Sequence, residues 1–70
     1  MAHQVAKVIE IVGSSKDGWA QAADQAVQTA SESINHITGV EVTSMTAKVA
    51  NGKIDTHKTT VKIAFGVGNV

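Results

Sequence analysis

The dipeptide Asn51-Gly52 stands between two stretches in which apolar and polar residues alternate, Val40–Val49 and Ile54–Val67. A two-residue hairpin loop of the favoured primed type needs positive φ at both central residues, and Asn-Gly supplies it with little strain. The two runs are therefore predicted to be the arms of an antiparallel hairpin. On the first arm, Val40 and Val42 fall on one face, with Glu41, Thr43, Met45, Ala47 and Val49 on the other. On the second, Val61, Ile63, Phe65 and Val67 alternate with Thr60, Lys62, Ala64 and Gly66. An arm of about 14 residues at ~3.3 Å per residue reaches about 45 Å.

Upstream, the β-branched stretch from Val5 to Val12 stops at Gly13 and reads as a further strand. Lys7 and Glu10 interrupt it on opposite faces, which suits a strand with a helix on one side and another subunit on the other. Ser14, Ser15 and Asp17 carry side-chain oxygens of the kind that cap a helix N-terminus. From Trp19 the apolar positions run Ala22, Ala23, Ala26, Val27, Ala30, Ile34 and Ile37, in steps of three and four. That spacing predicts one amphipathic helix of about five turns, ending between Asn35 and Thr38, before Gly39. The expected fold is α+β, with the order βαββ: a three-stranded antiparallel sheet wrapped on one amphipathic helix, as a single domain over residues 1–70.

A chain of 70 residues with no cysteine, one Trp and one Phe has little with which to hold itself together alone. A lone core of this size supplies only about 3–5 kcal/mol unless disulfides, metals or partner subunits add to it. The long hairpin also outreaches the helix that would cover it, leaving sheet to be sheltered by another chain. A homo-oligomer is the expected state.

Six basic residues balance six acidic ones, so the sequence carries no basic stripe for nucleic acid and no cationic face for anionic lipid. No apolar run approaches the ~20 residues of a membrane span. Met1-Ala2-His3-Gln4 lacks the pattern of a signal peptide, and a cytoplasmic location is expected. Ser14, Ser15, Ser31, Ser33 and Ser44 stand in no nucleophile elbow, so an enzyme is not expected. His3, His36 and His57 share no metal-ligand spacing. On a symmetry axis, however, one of these, or one of Glu10, Asp17, Asp24, Glu32, Glu41 and Asp55, becomes several ligands. Trp19 is expected in core or interface, and Glu41 in an ion pair with Lys7, Lys48 or Lys62 on a half-buried face.

Several of these pieces together resemble the dodecins. They are Val8-Ile9-Glu10-Ile11-Val12-Gly13-Ser14-Ser15, Gly18-Trp19 opening an alanine-rich helix, Val40-Glu41-Val42, Asn51-Gly52-Lys53 and Val61-Lys62-Ile63-Ala64-Phe65. The resemblance runs without an obvious gap from about Val5 to Val67. It implies a hollow homododecamer that binds and stores flavins of the FMN or riboflavin type, or their breakdown products, at subunit interfaces; some bacterial members also associate with coenzyme A. Flavin-binding members stack the isoalloxazine ring on a Trp at the start of strand two and hydrogen-bond its edge with a Gln in strand three. In this sequence those positions hold Gly39 and Lys58. Stacking of a base on an aromatic ring is worth roughly 1–3 kcal/mol, and lysine donates hydrogen bonds but accepts none. Losing both is expected to lower flavin affinity by on the order of 10²-fold or more. The expected ligand pocket is lined by Gly39, Val40 and Lys58, with Ser44 and Thr60 as neighbours. The expected function is small-ligand storage or sequestration by an oligomeric shell with a degraded flavin site. A calcium-binding shell and a purely structural oligomer are the alternatives.

Overall fold

The computed structural model describes residues 5–67, so His3 and the rest of the N-terminal tetrapeptide lie outside the described residues. Strand β1 spans Val5–Ser15, helix α1 Trp19–Ser31, strand β2 Ile37–Ala50 and strand β3 Lys53–Val67. All pairings are antiparallel, in the order β1-β3-β2, so the last strand lies in the middle. The predicted βαββ order and three-stranded sheet are both present. At the hairpin tip Asn51 (φ 54°) and Gly52 (φ 75°) both take positive φ, as a primed turn requires.

The hydrophobic centre is thin. Ala26 and Ala30 of α1 pack on Val61 and Ile63 of β3, with Ile9, Ile11, Ala23, Val27, Ile34 and Ile37 partly buried around them, and Ala22 is buried where α1 meets Gly13 of β1. Thirteen helical residues span only about 20 Å at ~1.5 Å each, whereas the molecule is 51 Å long. The helix lies over β1 and β3 and barely reaches β2.

Three expectations about element ends need correction. Strand β1 does not stop at Gly13 but continues to Ser15. Gly13 is buried inside it, and an added Cβ would sit 1.9 Å from the Ala22 carbonyl oxygen. This glycine lets helix and sheet backbones approach; it does not end the strand. The helix ends at Ser31, short of the predicted Asn35–Thr38. The Ser31 hydroxyl donates to the Val27 carbonyl, competing with the backbone as Ser does in helices. The amides of Ser33 and Ile34 then both donate to the Ala30 carbonyl. His36 (φ 64°) turns the chain, its carbonyl accepting from the Gly66 amide, and Ile37 already belongs to β2. At the other end Gly18 is the N-cap with no side-chain cap; the Ser15 hydroxyl instead accepts from the Asp17 amide.

The expected faces of β2 are also corrected. Its register against β3 skips at Thr38 and Thr43, each an extra residue opposite the β3 ladder. The hydroxyl of Thr38 donates to the Ala64 carbonyl and that of Thr43 to the Thr60 carbonyl. A threonine at each of these two positions thus gives β3 a side-chain donor where the regular ladder is interrupted, and a third shift, between Lys48 and Val49, leaves Asp55 of β3 as the extra residue. Beyond Thr43 the alternation changes phase. Met45 and Ala47 pair with Thr59 and His57 on the helix side, together with Val40 and Val42. Glu41, Ser44 and Thr46 share the opposite, outer face.

Candidate functional site

The outer face of the sheet is written in cross-strand rows. Val8, Ala64 and Gly39 form one row, Glu10, Lys62 and Glu41 the next, then Val12, Thr60 and Ser44, and then Ser14, Lys58 and Thr46. Ala64 and Gly39 carry almost no side chain, so their row is a depression bounded by Val8 on one flank and the charged row on the other. The result is an open groove of about 510 Å³ lined by Val8, Gly39, Val40, Glu41, Lys62 and Ala64. A Cβ added at Gly39 would meet nothing within 4 Å.

Of the five sequence-predicted site residues, Gly39 and Val40 line this groove. Ser44 and Thr60 pair directly with each other two rows away. Lys58 is exposed and pairs with Ser14 and Thr46. It lies six residues from Ala64 along β3, about 20 Å at ~3.3 Å per residue. Within one chain Gly39 and Lys58 are therefore not brought together, and a site containing both would combine two chains. Sequence reasoning missed the groove neighbours Val8, Glu41, Lys62 and Ala64. The strand order and register place Val8, Lys62 and Ala64 beside Gly39, which the alternating pattern alone does not signal, whereas Glu41 follows from alternation within β2.

Glu41 is exposed and not half-buried. Its cross-strand partner is Lys62, one of the three expected, and Glu10 faces Lys62 from the other side. Among the described residues the ion pair that closes within 4 Å is a different one, Lys16 with Asp55 at 3.7 Å between exposed side chains. A row of two carboxylates around one ammonium carries a net negative charge, which favours neutral or cationic groups over anions at the groove.

A second groove, of about 420 Å³, runs between the end of β1 and the polar side of α1, lined by Ser14, Ser15, Asp17, Gln21, Asp24, Gln25 and Gln28. Its donors are hydroxyls, amides and two carboxylates, the hard oxygen set that calcium takes. Among the described residues, no group of three or more His, Asp or Glu side chains stands together as a metal cluster within the chain.

Trp19 is half-buried and ties all the elements together at the helix start. Its indole Nε1–H donates to the Thr46 carbonyl of β2 at 2.8 Å, and its own carbonyl accepts from the Thr59 hydroxyl of β3 at 2.8 Å. The His57 ring meets the indole edge-on, centroids 4.7 Å apart, while its Nδ1 lies 3.2 Å from the Ser15 carbonyl of β1. That agrees with the structural role expected of Trp19. Among the described residues no helix is long and apolar enough to cross a membrane.

The same arrangement of elements occurs in solved structures. The dodecin of Streptomyces coelicolor superposes with a TM-score of 0.91 at 28% identity, covering 100% of both chains. A Thermus thermophilus dodecin variant gives 0.89 at 22% identity, covering 93% of this chain and 97% of that one. A calcium-chelating antigen of Mycobacterium tuberculosis, described as a calcium dodecin with a novel calcium-binding site, gives 0.81 at 32% identity over 93% of each chain. No curated protein sequence matches the chain. The dodecin family model matches residues 5–68, and with nearly the whole length accounted for the chain belongs to the dodecin family.

Proposed function

We propose that this chain is the subunit of a homo-oligomeric dodecin shell that sequesters a small ligand between subunits, and that it binds that ligand without converting it. The observation that carries this reading is an imbalance of apolar surface. Among the described residues only two large apolar side chains, Val61 and Ile63, are fully buried, whereas Val5, Val8, Val12, Val40, Val42, Met45, Val49 and Ile54 are 46–62% exposed. Full burial of such a side chain is worth about 1.5–3 kcal/mol, so covering the exposed half of these eight would contribute roughly 6–12 kcal/mol. That is comparable to the entire stability of an ordinary domain, about 5–15 kcal/mol. Both sheet faces contribute, so more than one neighbour is needed to cover them.

The ligand pocket on this reading includes Gly39 and Val40, with Lys58, Ser44 and Thr60 contributed across a subunit boundary. Its flavin affinity is low because the stacking ring and the bonding amide are replaced by Gly39 and Lys58. Calcium is the second reading. It is favoured by the 32% identity to the Mycobacterium tuberculosis calcium dodecin and by the oxygen-rich groove at Ser14, Ser15, Asp17 and Asp24.

Native mass spectrometry with riboflavin and calcium each offered tests the proposal. A mass of twelve chains with weak or no flavin increments is expected, and calcium increments would select the second reading. A stable monomer would overturn both. Restoring the pair, Gly39→Trp with Lys58→Gln, is expected to raise flavin affinity by at least the 10²-fold estimated from stacking and hydrogen bonding. The open space at Gly39 leaves room for the ring. Unchanged quenching of flavin fluorescence would mean that the pocket itself has another shape.

A further inference from the structure

We infer that Asn51 is a site of spontaneous covalent modification, converting through a cyclic imide to a mixture of aspartate and isoaspartate. Asn51 and Gly52 are both exposed at the hairpin tip, and a Cβ built at Gly52 meets no atom within 4 Å. The attacking group is the Gly52 amide nitrogen and the electrophile is the Asn51 side-chain carbonyl carbon. The nitrogen loses its proton and forms the new N–C bond, ammonia leaves, and a five-membered succinimide results. Water then opens the ring at one of its two carbonyls, giving aspartate or isoaspartate. No oxidant or reductant takes part.

Two features single out this position. Glycine has no side chain to shield its nitrogen, and nothing else at the tip replaces that shield. In addition, Asn51 stands at φ 54°, in the left-handed region that Asn tolerates better than most L residues but that is not its broadest well. Leaving that well lets the Gly52 nitrogen reach the side-chain carbon, and no neighbouring atom at Gly52 has to move. Asn35 is an internal control, because the His36 side chain follows it.

The two products have different consequences. Aspartate keeps the turn, since Asp-Gly suits the same primed geometry. Isoaspartate routes the main chain through the former side chain and lengthens the loop by one carbon, which is expected to disturb the adjoining Ala50–Lys53 closing pair. The adjoining pair, Val49 with Ile54, is among the most exposed apolar surface in the molecule. Loosening of a shell at that point rests on the oligomer reading; the chemistry at Asn51 does not.

The test is incubation of the full-length protein at mildly alkaline pH, followed by peptide mass spectrometry with fragmentation that separates aspartate from isoaspartate. The Asn51 peptide is expected to exchange amide for acid, isoaspartate in excess, while the Asn35 peptide stays unchanged. A urea-unfolded sample run in parallel sets the rate without the turn. Conversion at Asn51 in the unfolded chain but none in the native protein would overturn the inference, because the turn would then be protecting the site. Equal conversion at Asn35 and Asn51 would overturn it as well. An Asn51→Asp variant separates the products: it is expected to keep the hairpin that the isoaspartate form loses.

Discussion

Replacing Gly13 by alanine tests the central packing claim of this fold. The added Cβ would lie 1.9 Å from the Ala22 carbonyl oxygen, 2.9 Å from the Ala22 carbonyl carbon and 3.1 Å from the Ala26 Cβ. Ordinary contact begins near 3.4 Å, so the helix would have to lift by about 1.5 Å to relieve the worst of these overlaps. The obstacle is helix backbone, and no change of rotamer removes it. A gap of only ~0.5–1 Å already forfeits a quarter to a half of the dispersion energy of the atoms lining it. The atoms in question belong to Ala22 and Ala26, two of the three buried residues of the helix. We therefore expect Gly13→Ala to destabilise the protein by about 3 kcal/mol or more, at or beyond the upper end of the usual overpacking range. With an m-value of ~1 kcal/mol/M for a chain this small, the urea midpoint should fall by about 3 M, or folding should fail. The control is Gly39→Ala, where nothing lies within 4 Å and the change should stay within about 0.5 kcal/mol. Both should be followed by circular dichroism at one protomer concentration, because assembly makes apparent stability concentration-dependent. Equal midpoints for the two variants would refute the close helix–sheet approach and the role given to Gly13.

Thr59→Val keeps the shape of a side chain that is 1% exposed but removes its hydroxyl bond to the Trp19 carbonyl. A loss of about 1 kcal/mol in urea denaturation is expected, and no loss would mean that this bond contributes nothing net. Lys62→Glu would put a third carboxylate between Glu10 and Glu41. It should destabilise by up to about 1 kcal/mol per cross-strand pair at low salt, with partial recovery as salt shortens the ~8 Å screening length of physiological buffer; an effect that salt leaves unchanged would point to packing. Met45→Glu alters an exposed residue on the helix side of β2 that α1 does not cover. On the proposed oligomer, light scattering should find the assembly dissociated while the far-ultraviolet spectrum of the fold persists, and an intact assembly would remove that strip from any interface.

How much of this was legible in the sequence depended on whether a residue's local chemistry had one reading or two. Asn51-Gly52 had one, and the hairpin it marks is present with both φ values positive. The stripe from Ala22 to Ala30 had one as well, and it is the buried face of α1. Gly13 had two: strand terminator, or close approach of two backbones. Only the position of Ala22 across the layer decides between them. Ile34 and Ile37 continue the helical spacing, yet the Ser31 hydroxyl competes for the Val27 carbonyl and His36 turns the chain, so tertiary packing places both isoleucines against the core from outside the helix. On β2, alternation from Val40 is a reliable guide only as far as the next bulge, because one extra residue exchanges the two faces of the stretch that follows it. Thr43 is such a residue, and in the linear pattern it looks like any other polar position of the strand. The same limit governs the candidate site. Gly39 was found through its resemblance to a ligand position, whereas Lys62 and Ala64 stand beside it only because β3 is central and in this register. Lys58 and Gly39 belong to one pocket only if a second chain closes the distance between them. The ligand question and the assembly question are therefore one question: a variant that dissociates the shell should also abolish whatever the pocket binds.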